Sequence, residues 1–240
     1  MKINKLNSPN FDGLKRSINS VKLIVIHYTG MQSERESLAR LCDLKSKVSA
    51  HFLITRTGQI YRLVSENRIA WHAGKSCWGK YKNLNKNSIG IELVNKGHEF
   101  GYTNFKKKQI SSLIWLCAKI IKKYKIKKKY IVGHSDIAPL RKMDPGEKFP
   151  WQELALKNIG IWHHYKIDVL KKFRKVKISK NKKSKFIKDI SNIGYRFFSK
   201  NKADFTKNIK AFQRHYRKEL VNGLVDKECI LIAENLSKNI

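Results

Sequence analysis

"VKLIVIHYTG", residues 21–30, decides the fold. Leu23 to Ile26 is an unbroken apolar run rich in β-branched residues, the composition of a strand covered on both faces. The run stops at a histidine, His27. Two more stretches share that character. "SIGIELVN", 88–95, reads as a buried strand in which Glu92 is the one acid, and "KKYIVGH", 128–134, reads as a third that ends on His134.

Outward from these strands the pattern alternates. Residues 34–44 predict a helix, with Leu38, Leu41 and Leu44 at helical spacing. "SAHFLITRTGQIYRLV", 49–64, predicts a hairpin: Phe52 to Thr55, a Thr57-Gly58 turn, then Ile60 to Val64. Residues 70–88, rich in Gly and Asn, predict a long loop, and loops of that length in compact domains are often functional. Residues 104–124 carry Ile110, Leu113, Ile114, Cys117, Ile120, Ile121 and Tyr124 on one helical face, with lysines on the other. "PWQELALKNIG", 150–160, starts a short helix. Short apolar strands alternating with helices imply an α/β fold, a mixed central sheet flanked by helices. After about residue 165 the strands stop. A basic run leads into helical patterns over 184–193, 204–218 and 226–238, with Asp226 as the expected N-cap of the last. The expected organisation is a main domain over 1–164 and a small three-helix domain over 165–240.

The 240 residues include 41% hydrophobic and 10% aromatic side chains, enough for a core and too many for a disordered tail. Lys plus Arg number 52 against 18 Asp plus Glu, a net charge of +34. Such a field favours polyanions: nucleic acid, anionic lipid or anionic wall polymer. The excess is mostly lysine alongside abundant Asn and Ile, the residues that AT-rich coding yields, so charge by itself selects no partner. Stacking aromatics interleaved with a basic face would mark a nucleic-acid surface. Here the lysines are spread along every segment, and no specific nucleic-acid partner is expected. Cys42, Cys77, Cys117 and Cys229 lie far apart with no CxxC pair, so neither a zinc ribbon nor a disulfide framework is indicated. No signal-peptide core is visible in the first residues, and no stretch approaches the 18 apolar residues of a membrane span. The expectation is therefore a soluble protein. Oligomeric state leaves no trace in the sequence.

The polar groups at strand ends are His27, Glu92 and His134, joined by Asp144 in "GHSDIAPLRKMDPG", 133–146. Two imidazoles and one carboxylate form the ligand set of an open catalytic zinc site. A carboxylate outside that set, Glu92, would serve as general base, and Lys142 would face a developing oxyanion. A plainer reading stands beside it: a histidine at a strand end is commonly a hydrogen-bonded structural residue, Asp144 before Pro145-Gly146 a turn former, and Asp136 a cap for the turn after His134. The residues alone leave both readings open.

Five motifs in register separate them. "LIVIHYTG", "VSAHFLI", "IAWHAGKSCWG", "NSIGIELVN" and "GHSDIAPLRKMDPGEKFPW" resemble, over about residues 20–160, the zinc-dependent N-acetylmuramoyl-L-alanine amidases related to peptidoglycan recognition proteins, particularly their AmiD/AmpD branch. The resemblance implies Zn2+ held by His27, His134 and Asp144, with Glu92 as catalytic glutamate and Lys142 as active-site lysine. Ala50 stands where phage-type members carry a catalytic tyrosine, which agrees with the glutamate-using branch. Trp71 and His72 resemble pocket residues; Trp78 is a candidate groove residue and Arg56 a candidate contact for a peptide carboxylate or muramyl oxygen. Core packing for Trp71 and solvation for Arg56 are the plain alternatives. The tail, with "FQRHYR" and "NGLVDKE", is similar to a three-helix peptidoglycan-binding module. The implied activity is hydrolysis of the amide between N-acetylmuramic acid, or its 1,6-anhydro form, and L-alanine of the stem peptide. Peptidoglycan or muropeptides are the implied partner, and the bacterial envelope the implied location, with the cytoplasm as alternative. A non-catalytic peptidoglycan sensor is the alternative function.

Overall fold

Residues 1–197 and 201–240 are described by the structure, a computed structural model. Two short strands, β1 (Ile3–Lys5) and β2 (Phe11–Asp12), precede the apolar strand β3 (Leu23–Tyr28). Helix α1 (Glu34–Cys42) begins at Ser33, whose side chain accepts from the Glu36 N–H. The expected hairpin forms as antiparallel β4 (Phe52–Ile54) and β5 (Ile60–Arg62). The expected loop over 70–88 holds more order than its Gly and Asn content suggests. It follows β6 (Ile69–Ala70), which pairs with β2, and contains the small ribbon β7 (Cys77–Trp78) and β8 (Tyr81–Lys82). Strand β9 (Ser88–Leu93), helix α2 (Lys107–Tyr124) and strand β10 (Ile131–Gly133) come next, followed by the short helices α3 (His134–Ile137) and α4 (Trp151–Leu156). The remaining helices are α5 (Ile167–Lys171), α6 (Lys180–Ile193), α7 (Lys202–Tyr216) and α8 (Lys227–Lys238). Asp226 caps the last as expected, its carboxylate accepting from the Cys229 N–H.

The six-stranded sheet runs β1-β5-β4-β9-β3-β10. Its neighbours are parallel except β4 with β5, so the sheet is mixed, as the alternating pattern implied. Strand β1 was not legible because "INK" offers no apolar run; it sits at the edge beside β5. The register aligns His27 with Glu92 and Val25 with Gly90. Aligned residues on neighbouring strands point to the same face, so His27 and Glu92 project side by side.

Alternation along β3 divides the core. Ile24 and Ile26, with Ile89, Ile91, Phe52 and Ile54, face α2 and meet its buried stripe of Ile110, Leu113, Leu116, Cys117 and Ile120. Each such side chain contributes roughly 1.5–3 kcal/mol by leaving water. Leu23, Val25 and Val132 face the other way and join one cluster with Phe186, Ile190, Phe212 and Ile232 from the C-terminal helices. Residues on both sides of position 164 thus share a core.

Candidate metal centre and active site

The carboxyl ends of adjacent strands β9, β3 and β10 converge on one side of the sheet, the end at which open α/β sheets bind ligands. Strand β3 delivers His27. Strand β10 runs directly into α3, whose first residue is His134, and the following loop returns Asp144, with the Ser135 N–H donating to the Asp144 carbonyl at 2.8 Å. His27 Nδ1 lies 3.0 Å from His134 Nδ1 and 3.0 Å from Asp144 Oδ2, and His134 Nδ1 lies 3.1 Å from that oxygen. All three residues are buried. Ligand atoms about 2.0–2.2 Å from a tetrahedral zinc sit about 3.3 Å apart, so this near-equilateral triangle has the size such an ion requires.

Hydrogen bonds around the triangle fix which atoms face it. Ser88 Oγ donates to the Leu84 carbonyl at 2.6 Å, which leaves its lone pairs to accept from His72 Nε2 at 3.2 Å. His72 Nδ1 then accepts from His27 Nε2 at 3.0 Å, and His27 Nδ1 is left as a bare lone pair. Burial pushes His27 down to about 4 and His72 well below the ordinary histidine range, each reinforced by neighbouring rings, so both are neutral near pH 7. On the other side, His134 Nε2 has the Ala73 carbonyl at 3.2 Å as its nearer neighbour, with Arg141 Nη2 at 3.4 Å; a carbonyl only accepts, which again bares Nδ1. Two nitrogen lone pairs and a carboxylate oxygen therefore meet with no hydrogen between them. A cation resolves that crowding, and outer hydrogen bonds of this kind orient histidine ligands.

Glu92 stands beside the triangle and outside it. Its Oε2 is buried with no hydrogen-bond partner among the described residues. Burial and the nearby Asp144 raise its carboxyl to about 8, against a downward pull from the Lys142 cation. A buried carboxyl poised near neutrality without a partner is what a general base needs. Lys142 is half-buried and lines the same cavity, of about 350 Å³, together with Trp71, His98, Arg40 and Lys96.

Of the expected substrate contacts, only Trp71 and His72 line this cavity. Trp71 is anchored by its indole N–H, which donates to Asp12 Oδ1 at 2.7 Å. His72 has both nitrogens engaged, by His27 and Ser88, so it orients the His27 ring. Its own ring lies flat over Gly90, where an added Cβ would come within 2.4 Å of it; only glycine fits there. Trp78 is not a groove residue: it is 1% exposed, donates to the Lys129 carbonyl and packs edge-on against Tyr195. Its flanking Gly and Cys read as loop, while its ring fills the core beneath the C-terminal helices. Arg56 is also absent from the cavity lining; it donates to Thr103 Oγ1 at 2.9 Å. Arg40 and Lys96 escaped sequence reasoning because nothing distinguishes them from the other 50 Lys and Arg residues until the fold gathers them at the rim.

Two imidazoles and a carboxylate with an unpartnered carboxyl beside them, at the carboxyl ends of the parallel strands of a mixed sheet, suit a metal-dependent hydrolase. Residues 17–147 match the N-acetylmuramoyl-L-alanine amidase family. The chain belongs to that family. It is 37% identical over 233 residues to the N-acetylmuramoyl-L-alanine amidase AmiD of Escherichia coli, an alignment covering 90% of this chain and 82% of that protein. The 1,6-anhydro-N-acetylmuramyl-L-alanine amidase AmpD of Haemophilus influenzae is 36% identical over 166 residues, covering 62% of this chain and 88% of its own. Among solved structures, the complex of E. coli AmiD with the substrate anhydro-N-acetylmuramic acid-L-Ala-D-gamma-Glu-L-Lys superposes with a TM-score of 0.81 at 35% identity, covering 95% of this chain and 92% of that one. AmpDh3 of Pseudomonas aeruginosa with anhydromuramic pentapeptide gives 0.81 at 31% identity, covering 95% and 94%.

Proposed function

We propose that the protein hydrolyses the amide joining the lactyl group of N-acetylmuramic acid, or of its 1,6-anhydro form, to L-alanine of peptidoglycan stem peptides. Residues 1–164 carry the chemistry and 165–240 form the helical module packed upon them. The observation that carries the reading is the unpartnered Glu92 oxygen beside three converging ligand atoms. His27, His134 and Asp144 hold Zn2+, which when bound supplies Lewis-acid polarisation of the amide carbonyl and acidifies a water. Glu92 takes a proton as water adds to the carbonyl carbon. It then returns that proton to the alanine nitrogen as the C–N bond breaks; the second water proton leaves the new lactyl carboxyl for the freed amine, giving a carboxylate and an ammonium. Lys142, across the cavity, offsets the charge that develops on the carbonyl oxygen. Trp71 shapes the wall against which the substrate rests. The site of action is the bacterial envelope, where peptidoglycan and its muropeptides are found; no described helix is long and apolar enough to cross a membrane.

Digestion of anhydro and reducing-end muropeptides, with and without a chelator, tests this by mass spectrometry. Release of free stem peptide that stops on chelation and returns with zinc is the expected result. Glu92→Gln should keep zinc and lose on the order of 10³-fold in kcat. Intact muropeptides after long incubation with the zinc-loaded protein would instead leave a peptidoglycan sensor.

A further inference from the structure

We propose that Asp136 is a positioning residue for His134, and that the C-terminal helices hold it in place through His215 and Tyr195. This rests on the assignment of His134 as a metal ligand. Asp136 sits in α3, one turn's reach from that ligand, and is 2% exposed. Its Oδ2 accepts from the Gly133 N–H at 2.7 Å, which ties it to the residue immediately before His134. The same oxygen receives His215 Nδ1 at 2.7 Å, and Oδ1 accepts the Tyr195 hydroxyl at 2.6 Å. These partners come from α7 and from the segment after α6, 79 and 59 residues away. Neither touches the cavity of the active site.

The clamp is rigid on both sides. The His215 ring is sandwiched between Trp151 at 3.8 Å and Tyr216 at 4.0 Å, both nearly parallel to it. The Tyr195 ring is fully buried against Trp78 and Phe212. Gly133 is pressed against Pro145, the neighbour of Asp144, so closely that a Cβ would lie 2.6 Å from the Pro145 ring. A shift of Asp136 would therefore move the backbone that carries two of the three ligands. A second tether runs in parallel: Arg214 of α7 approaches Glu147 at 3.9 Å, and Glu147 bonds His98 at 3.1 Å on the cavity wall. A module attached only to grip a polymer has no need to aim buried side chains at the metal loop. Here it forms the back wall of that loop.

The test compares zinc affinity of the full chain, by competition with a chromophoric chelator, with kcat, KM and Tm. Tyr195→Phe removes one oxygen and leaves the packing. His215→Leu removes the Nδ1 donor, and His215→Asn restores a donor at that position. The expected result is zinc binding weakened about 10-fold in Tyr195→Phe and 10–100-fold in His215→Leu, with KM unchanged and His215→Asn recovering to within about threefold of the parent. Zinc affinity at the parent value in both Tyr195→Phe and His215→Leu, with only Tm lowered, overturns the proposal and makes the contacts ordinary packing. A His134→Ala control that binds zinc as tightly as the parent would overturn the ligand assignment instead, so the two failures are separable.

Discussion

The two faces of the central sheet are built from alternate residues of the same strands, yet they do different work. The α2 face is uniformly apolar: Ile24, Ile26, Ile89 and Ile91 meet a helix that covers them. The opposite face changes character along its length. Leu23 and Val25 lie under the C-terminal helices, the His72 ring covers Gly90 at the level of Val25, and His27 and Glu92 occupy the carboxyl ends. The closed face supplies stability, and that stability lets its back carry buried polar groups arranged for chemistry. Ionisable groups placed so deep are costly to the fold, and the compensation lies one residue away in the sequence.

Adjacent residues allow that division to be broken one face at a time. His27→Ala should weaken zinc binding on the order of 10²–10³-fold, since each ligand carries a sizeable share of a binding energy of about 10–16 kcal/mol. Ile26→Ala, one position earlier, should lower stability by about 2–4 kcal/mol in denaturant titrations and leave the zinc stoichiometry unchanged. If Ile26→Ala also lost the metal, the faces would not be separable.

A smaller effect sharpens the cost of the polar half. Glu92 has its ordinary value of 4.5 in the unfolded chain and about 8 in the fold, so between those values the native state of the metal-free protein holds a proton the unfolded state has released. Its contribution to stability therefore falls as pH rises through that window. His27, lowered to about 4, acts in the opposite sense and only below about pH 6.5. The chelated Glu92→Gln variant should consequently gain on the parent by ~2 kcal/mol between pH 5 and 7, read from chemical denaturation at each pH; parallel curves would show that Glu92 is not proton-bearing. Smallest is the far end of the hydrogen-bond chain. Ser88→Ala frees the His72 tautomer and should weaken zinc binding about 10-fold in the same chelator competition, with Tm nearly unchanged.

Much of the central sheet was legible because strands announce themselves by apolar runs, and polar residues at their ends punctuate them. "LIVIH", "IVGH" and "IGIE" place His27, His134 and Glu92 at strand ends, but Asp144 lies in the loop beyond, and the resemblance over five motifs was needed to favour a metal site over hydrogen-bonded structural residues. What escaped depends on partners distant in sequence. Asp136 read as a local cap, and it does accept from Gly133, but its bonds to Tyr195 and His215 follow from docking of helices that no periodicity positions. Trp78 and His72 share one loop and similar motif credentials, yet one ring turned into the core and the other onto His27. Arg56 lies on the turn of a hairpin whose strands were correctly placed, with its side chain spent on Thr103. Local pattern located the elements; tertiary contacts allotted the side chains.

The shared core across position 164 has a consequence for how the chain is made. Leu23, Val25 and Val132 emerge from the ribosome long before Phe212, Cys229, Ile232 and Leu236, the residues of α7 and α8 in the same cluster. Throughout that interval the nascent protein holds the motifs of its active site but lacks the cover for half a sheet face and the anchors of Asp136. The last helices to be synthesised are thus the ones that close over β3 and β10, and a chain stopped before them has every strand of its sheet but one face left bare.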